Sequence, residues 1–84
     1  MNMNQMLDLK IVSPEKVVFD GNASSVVVPG TAGCFEILNG HAPIISSLEK
    51  GSVEFDASDG KHKIEIKGGF VEVKQNQILL CVEV

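Results

Sequence analysis

The chain has no Trp and no Tyr, and only four Phe. Without large rings, its interior has to be filled by Val, Ile and Leu, and that β-branched bias favours strands over helices. Basic clusters are missing too: no Lys/Arg-rich stretch occurs, and the net charge is −4. Nucleic-acid binding needs a basic stripe to meet the phosphates, so this class of partner is set aside. No apolar run approaches the length that crosses a bilayer as a helix. The opening Met1-Asn2-Met3-Asn4-Gln5-Met6 has neither the basic nor the apolar region of a signal peptide, which points to a cytoplasmic address. Only two cysteines occur, Cys34 and Cys81, far apart in sequence; in a reducing compartment they are expected as two separate thiols.

At 84 residues the chain is long enough for one domain, 1–84, and too short for two. A domain of this size buries roughly 60–65% of the surface its unfolded chain exposes, so docking on a larger partner would add to a modest stability.

Alternation of period two runs through most of the chain. Leu7, Leu9 and Ile11 alternate with Asp8 and Lys10. Val53, Phe55 and Ala57 alternate with Ser52, Glu54, Asp56 and Ser58, and Ile64 and Ile66 with Lys63, Glu65 and Lys67. Val71 and Val73 alternate with Glu72 and Lys74, and Ile78, Leu80 and Val82 continue the pattern. Each such run is a strand with one face packed inward. Val26–Val28 and Phe35–Leu38 are denser, as if covered on both faces.

Turn residues punctuate these runs at Ser13-Pro14, Asp20-Gly21-Asn22, Pro29-Gly30, Asn39-Gly40, Lys50-Gly51, Asp59-Gly60, Gly68-Gly69 and Gln75-Asn76. Asp59-Gly60 is the clearest hairpin signal, read as a type I′ turn with positive φ at both residues. No segment of helical length carries helical periodicity with a cap. The expectation is an all-β, two-sheet β-sandwich of about nine to ten short strands. Residues 1–5 are polar and expected to fray, whereas the sequence ends inside an apolar strand at Val84.

Catalytic signals are weak. His62 shares the parity of Ile64 and Ile66, which makes it a residue of the core's rim before it is a base or ligand. His41 sits in a tight connection, and Cys34, Glu36 and His41 match no metal-ligand spacing. There is no serine elbow, no Cys–His set and no phosphate-cradling loop. No cofactor, metal, small-molecule substrate or catalytic residue is expected, and the glycines read first as turn residues.

Three ordered blocks are more specific. Val28-Pro29-Gly30-Thr31-Ala32-Gly33-Cys34-Phe35-Glu36-Ile37-Leu38-Asn39-Gly40-His41-Ala42-Pro43-Ile44-Ile45 resembles the signature of the epsilon subunit of the F-type ATP synthase. Leu9-Lys10-Ile11-Val12-Ser13-Pro14-Glu15 with Phe19-Asp20-Gly21 is similar to the family's opening strand and turn, and Gly68-Gly69-Phe70-Val71-Glu72-Val73 to its Gly-Gly-x-x-Glu-Val. The resemblance covers essentially the whole chain. Two positions depart from it: Glu36 stands where the family usually has Gly, and Asn39 where it usually has Pro.

The resemblance implies a non-catalytic rotor subunit of the central stalk, wedged between the gamma subunit and the c-ring and coupling rotation to ATP synthesis. It further implies a peripheral place on the cytoplasmic face of the inner membrane, held only through the complex. By the same resemblance Ala32, Gly33 and Cys34 face the c-ring. Ser13 and His41 lie near gamma, with the connection bearing His41 in the same lower region as the Gly30–Cys34 loop. Gly30, Asn39, Gly40, Pro43, Gly68 and Gly69 form turns. Family members commonly continue into two C-terminal helices that restrain ATP hydrolysis, and these 84 residues are expected to supply the sandwich's function alone. Two other readings are a lipoyl- or biotinyl-type carrier, for which Lys61 lacks the required neighbours, and a β-sandwich adaptor unrelated to ATP synthesis.

Overall fold

A computed structural model describes residues 6–84; residues 1–5, where fraying is expected, lie outside the described residues. Eight strands follow one another: β1 Leu7–Val12, β2 Val17–Gly30, β3 Gly33–Leu38, β4 Ile44–Leu48, β5 Gly51–Ala57, β6 Gly60–Ile66, β7 Gly68–Lys74 and β8 Gln77–Glu83. Two layers result. One, the β6 layer, runs β3-β2-β5-β6; the other, the β8 layer, runs β2-β1-β8-β7-β4, with β1 and β8 parallel and every other pair antiparallel. The all-β sandwich matches the sequence reading; the strand count is lower.

The shortfall comes mainly from β2. Asp20-Gly21-Asn22 looks like a turn in sequence, yet the 14-residue strand runs straight through it, with Gly21 opposite Leu9 and Asn22 opposite Asp8. The Phe19 ring lies over Gly21, where a Cβ would sit 3.1 Å from Cζ, so the glycine makes room for a side chain rather than for a bend. Past it, the register against β5 slips between Ala23 and Ser25, leaving an extra residue on β2. Such a bulge bends a strand. It lets β2 begin beside β1 in one layer and continue between β3 and β5 in the other.

Gly30 keeps its expected place at a turn, whereas the turn assignments of Gly68 and Gly69 are corrected. Gly30 is the buried last residue of β2 and, paired with Gly33, closes the Thr31-Ala32 turn; a Cβ there would come within 2.8 Å of the Gly33 carbonyl oxygen and 2.9 Å of the Phe35 ring. Gly68 and Gly69 open β7, and only Lys67 separates them from β6. The chain crosses there from one layer to the other, and a sharp corner of that kind favours glycine. Asn39 and Gly40 do form the expected turn, with Gly40 at φ +86°, and Pro43 lies in the connection to β4. The Asp59-Gly60 hairpin forms, with Ala57 opposite Gly60, so the bend falls on Ser58 and Asp59. Gly60 alone of these takes positive φ, +123°, so the turn is not type I′.

Inward-facing side chains are those the alternation marks. Leu7, Leu9, Ile11, Val53, Phe55, Ile66, Val71, Val73, Ile78, Leu80 and Val82 are all buried, joined by Ala23, Val26, Val28, Ile37 and Leu48. Each buried Val, Leu, Ile or Phe is worth about 1.5–3 kcal/mol of transfer free energy. Among the described residues no polar or charged side chain is buried with them. The dense runs are covered on one face only: Val27 is half-buried and Leu38 exposed, because the outer side of the β6 layer is open.

Candidate docking surface

The outer faces of the two layers differ in chemistry. Across the β6 layer, register places Glu36, Val27, Glu54 and Lys63 in one row and Leu38, Ser25, Asp56 and Lys61 in the next. Lys61 pairs with Asp56 at 3.0 Å, beyond the hairpin tip, which is not how a carrier presents a lysine for modification. Glu36 is exposed on an ordinary strand, so the missing family glycine marks no tight backbone contact within this chain.

Across the β8 layer the corresponding rows are Val17, Val12, Cys81, Phe70, Ser47 and Asp20, Lys10, Leu79, Glu72, Ile45. Here Ile45 is 73% exposed, Val17 53% and Phe70 44%, with Val12, Leu79 and Cys81 half-buried between them. Five strands thus carry an apolar band edged by charges. A shallow groove bounded by Val12, Ser13, Pro14, Phe70 and Cys81 leads off one end of it. Phe70 is the informative residue: it shares its parity with Glu72 and Lys74, on the side that alternation assigns to water. An aromatic on the polar parity is the sequence signal for this band. Neither Phe70 nor Ile45 is among the contact residues expected from the sequence.

Ser13 lies at the groove end, where its backbone N–H donates to the Lys16 carbonyl at 2.8 Å. Its Oγ accepts from Lys16 N at 3.3 Å and Glu15 N at 3.4 Å, so the hydroxyl shapes the turn into β2. The Thr31-Ala32 turn sits at the same end of the layer. Thr31 N donates to the Ser47 carbonyl at 3.1 Å, and the two hydroxyls are 2.9 Å apart, which staples the loop to β4. Ala32, Gly33 and Cys34 beyond it are exposed, Gly33 at φ +131°.

His41 is placed elsewhere. It precedes β4, and Ile44 pairs with Val73, whereas the Thr31 loop adjoins Leu48 at the other end of the same strand. The length of β4, about 15 Å at 3.3 Å per residue, therefore separates His41 from the Ala32–Cys34 tip and from Ser13, and the two regions do not converge. At its own end the His41 amide donates to Leu38 O at 3.0 Å. Its Nδ1 lies 2.7 Å from the Ala42 carbonyl, which only accepts, so Nδ1 carries the proton.

His62 packs at the rim of the interior, stacked on Phe55 with centroids 4.9 Å apart and rings 3° from parallel. Its Nε2 is 2.8 Å from Asp59 Oδ1, and this hydrogen bond holds the Asp59 carboxyl below its ordinary value. Cys34 and Cys81 are free thiols on different strands. Among the described residues no three of His, Cys, Asp and Glu converge as metal ligands would.

The comparisons agree with this architecture. The model of the ATP synthase, Delta/Epsilon chain, beta-sandwich domain matches residues 6–84. An ATP synthase epsilon chain of Chlorobium limicola is 42% identical over 76 residues, covering 89% of this chain and 86% of that one. That of Magnetococcus marinus is 37% identical over 81 residues, 96% of this chain but 59% of the relative. A chain in the cryo-EM structure of Euglena gracilis mitochondrial ATP synthase (OSCP/F1/c-ring in rotational state 1) superposes with a TM-score of 0.86 at 19% identity. It covers 98% of this chain and 53% of that one, a likeness of fold. With a family model spanning the whole described sandwich, the chain belongs to the family of the ATP synthase delta/epsilon-chain β-sandwich domain.

Proposed function

We propose that this chain is a central-stalk element of an F-type ATP synthase, docking on the gamma subunit and the c-ring and coupling rotation to ATP synthesis while catalysing nothing itself. Family membership supports the assignment, since the curated relatives are named ATP synthase epsilon chains. The observation that carries it is the apolar band of the β8 layer, with Phe70 and Ile45 exposed on a face that alternation would leave polar. A subunit that transmits torque needs a broad, durable contact, and stable interfaces of this kind bury on the order of 1,200–2,000 Å² in total.

In this reading the band and the neighbouring Ser13 meet gamma, and His41 extends the same contact at the far end of β4. The stapled loop with Ala32, Gly33 and Cys34 reaches the c-ring. Membrane association comes through the complex, at the cytoplasmic face of the inner membrane.

Co-expression with the cognate gamma subunit, followed by native mass spectrometry, tests the assignment. A one-to-one complex is expected, and the purified chain alone should neither hydrolyse nor appreciably bind ATP. Separate species at micromolar concentration would leave an adaptor of unknown partner.

A further inference from the structure

We infer that Asn76 is a positioning residue for the His41 end of the docking surface, acting through the backbone of Gly40. The connection 39–43 carries the chain from β3 in one layer to β4 in the other, and it has few internal ties. His41 N closes a tight turn onto Leu38 O at 3.0 Å, and Pro43 has no N–H to give. The Gly40 amide instead donates across the sandwich to Asn76 Oδ1 at 3.1 Å. Among the described residues this is the one hydrogen bond that fastens the turn to the β8 layer.

Asn76 is itself well anchored. It occupies the two-residue turn between Lys74 and Gln77, and its carbonyl accepts from Asp8 N at 2.8 Å, which locks that turn to the start of β1. Its carboxamide therefore reaches out from a rigid corner where three segments meet. Gly40, at φ +86°, is a position that side chains avoid, so its amide direction is set by the turn and needs an acceptor of fixed placement. His41 follows immediately, with a ring hydrogen bond that stays within its own loop. Where that ring sits relative to β7 and β8 is then decided by the Gly40–Asn76 bond.

This inference rests on the docking reading for its consequence at gamma, but not for its structural core. Asn76→Ala deletes the acceptor, and Asn76→Asp keeps one. In the free domain, the ¹⁵N order parameters of residues 39–42 should fall toward the flexible range in Asn76→Ala and recover in Asn76→Asp. Affinity for gamma should drop roughly three- to tenfold in Asn76→Ala, the range of one neutral hydrogen bond. That loss should disappear in a His41→Ala background. Hydrogen exchange in the unmodified chain gives a readout that no folding defect can confuse: the Gly40 amide should be protected although its residue is exposed. Rapid exchange at Gly40, unchanged order parameters, or losses that simply add in the double variant would each overturn the proposal. Failure of the unmodified chain to bind gamma would instead sink the docking reading, and the order parameters would still decide the role of Asn76.

Discussion

The backbone of Gly69 lies directly against that of Cys81: a Cβ at position 69 would overlap the Cys81 carbonyl oxygen and sit 2.9 Å from Val82 Cα. With φ at +148°, the residue also occupies backbone space that is almost closed to other residues. Both costs fall on one substitution. Gly69→Ala should lose about 3 kcal/mol or more, combining backbone strain with a clash that no rotamer relieves. In a domain of this size that is a fall of at least ~12 °C in the thermal midpoint. A midpoint within a few degrees of the unmodified chain would mean the strands separate freely there.

Gln75 presents the opposite case. It is the one non-glycine of positive φ among the described residues, +57°, in the exposed turn between β7 and β8. An L-residue in the left-handed region costs about 1–2 kcal/mol, while glycine gives back roughly 0.5–1 in chain entropy. Gln75→Gly should therefore stabilise the domain by about 0.5–1 kcal/mol, read as a higher urea midpoint at unchanged slope. A lower midpoint would show that the Gln75 side chain makes a contact worth more than the strain.

The inward set was legible because burial on one face forces period two, and Leu7-Leu9-Ile11 and Val71-Val73 obey it. What failed is the equation of glycine with turns. Gly21 yields space to the Phe19 ring and Gly69 to the Cys81 backbone, and these are contacts between residues that the local pattern cannot see. The outer faces were harder still. Glu72 and Lys74 mark their parity as wet, and only the registers of β4 against β7 and of β7 against β8 gather Ile45, Phe70, Leu79 and Cys81 into one band. The separation of His41 from the Ala32–Cys34 loop is of the same kind, since a short stretch of sequence runs to opposite ends of β4.

Acid should find the β5–β6 hairpin through Asp59. The His62 hydrogen bond lowers its carboxyl below the ordinary value near 3.8. Folding thus favours the ionised form, so this contribution to stability is present above that value and drains away as pH falls through the folded-state value. Asp59→Asn should flatten the acid limb of the thermal midpoint in that window, below about pH 4, while changing little in its shape near neutrality. Parallel curves for the two proteins would show that the carboxyl contributes nothing to pH dependence.

Exposed apolar residues on a docking face should separate binding from folding. Ile45 and Phe70 lie outside the buried interior, so Ile45→Thr and Phe70→Thr, which keep β propensity, should lower the isolated domain's stability by about 0.5 and about 1 kcal/mol at most. Binding is another matter, because a buried aromatic anchor at an interface is commonly worth about 2 kcal/mol or more, roughly 30-fold in affinity. Titration calorimetry against gamma should therefore show a large loss for Phe70→Thr and a similar direction for Ile45→Thr. Lys63→Ser, on the outer face of the β6 layer, should bind as the unmodified chain does. If Lys63→Ser weakens binding and Phe70→Thr does not, the partner sits on the charged layer, and the apolar band needs another explanation.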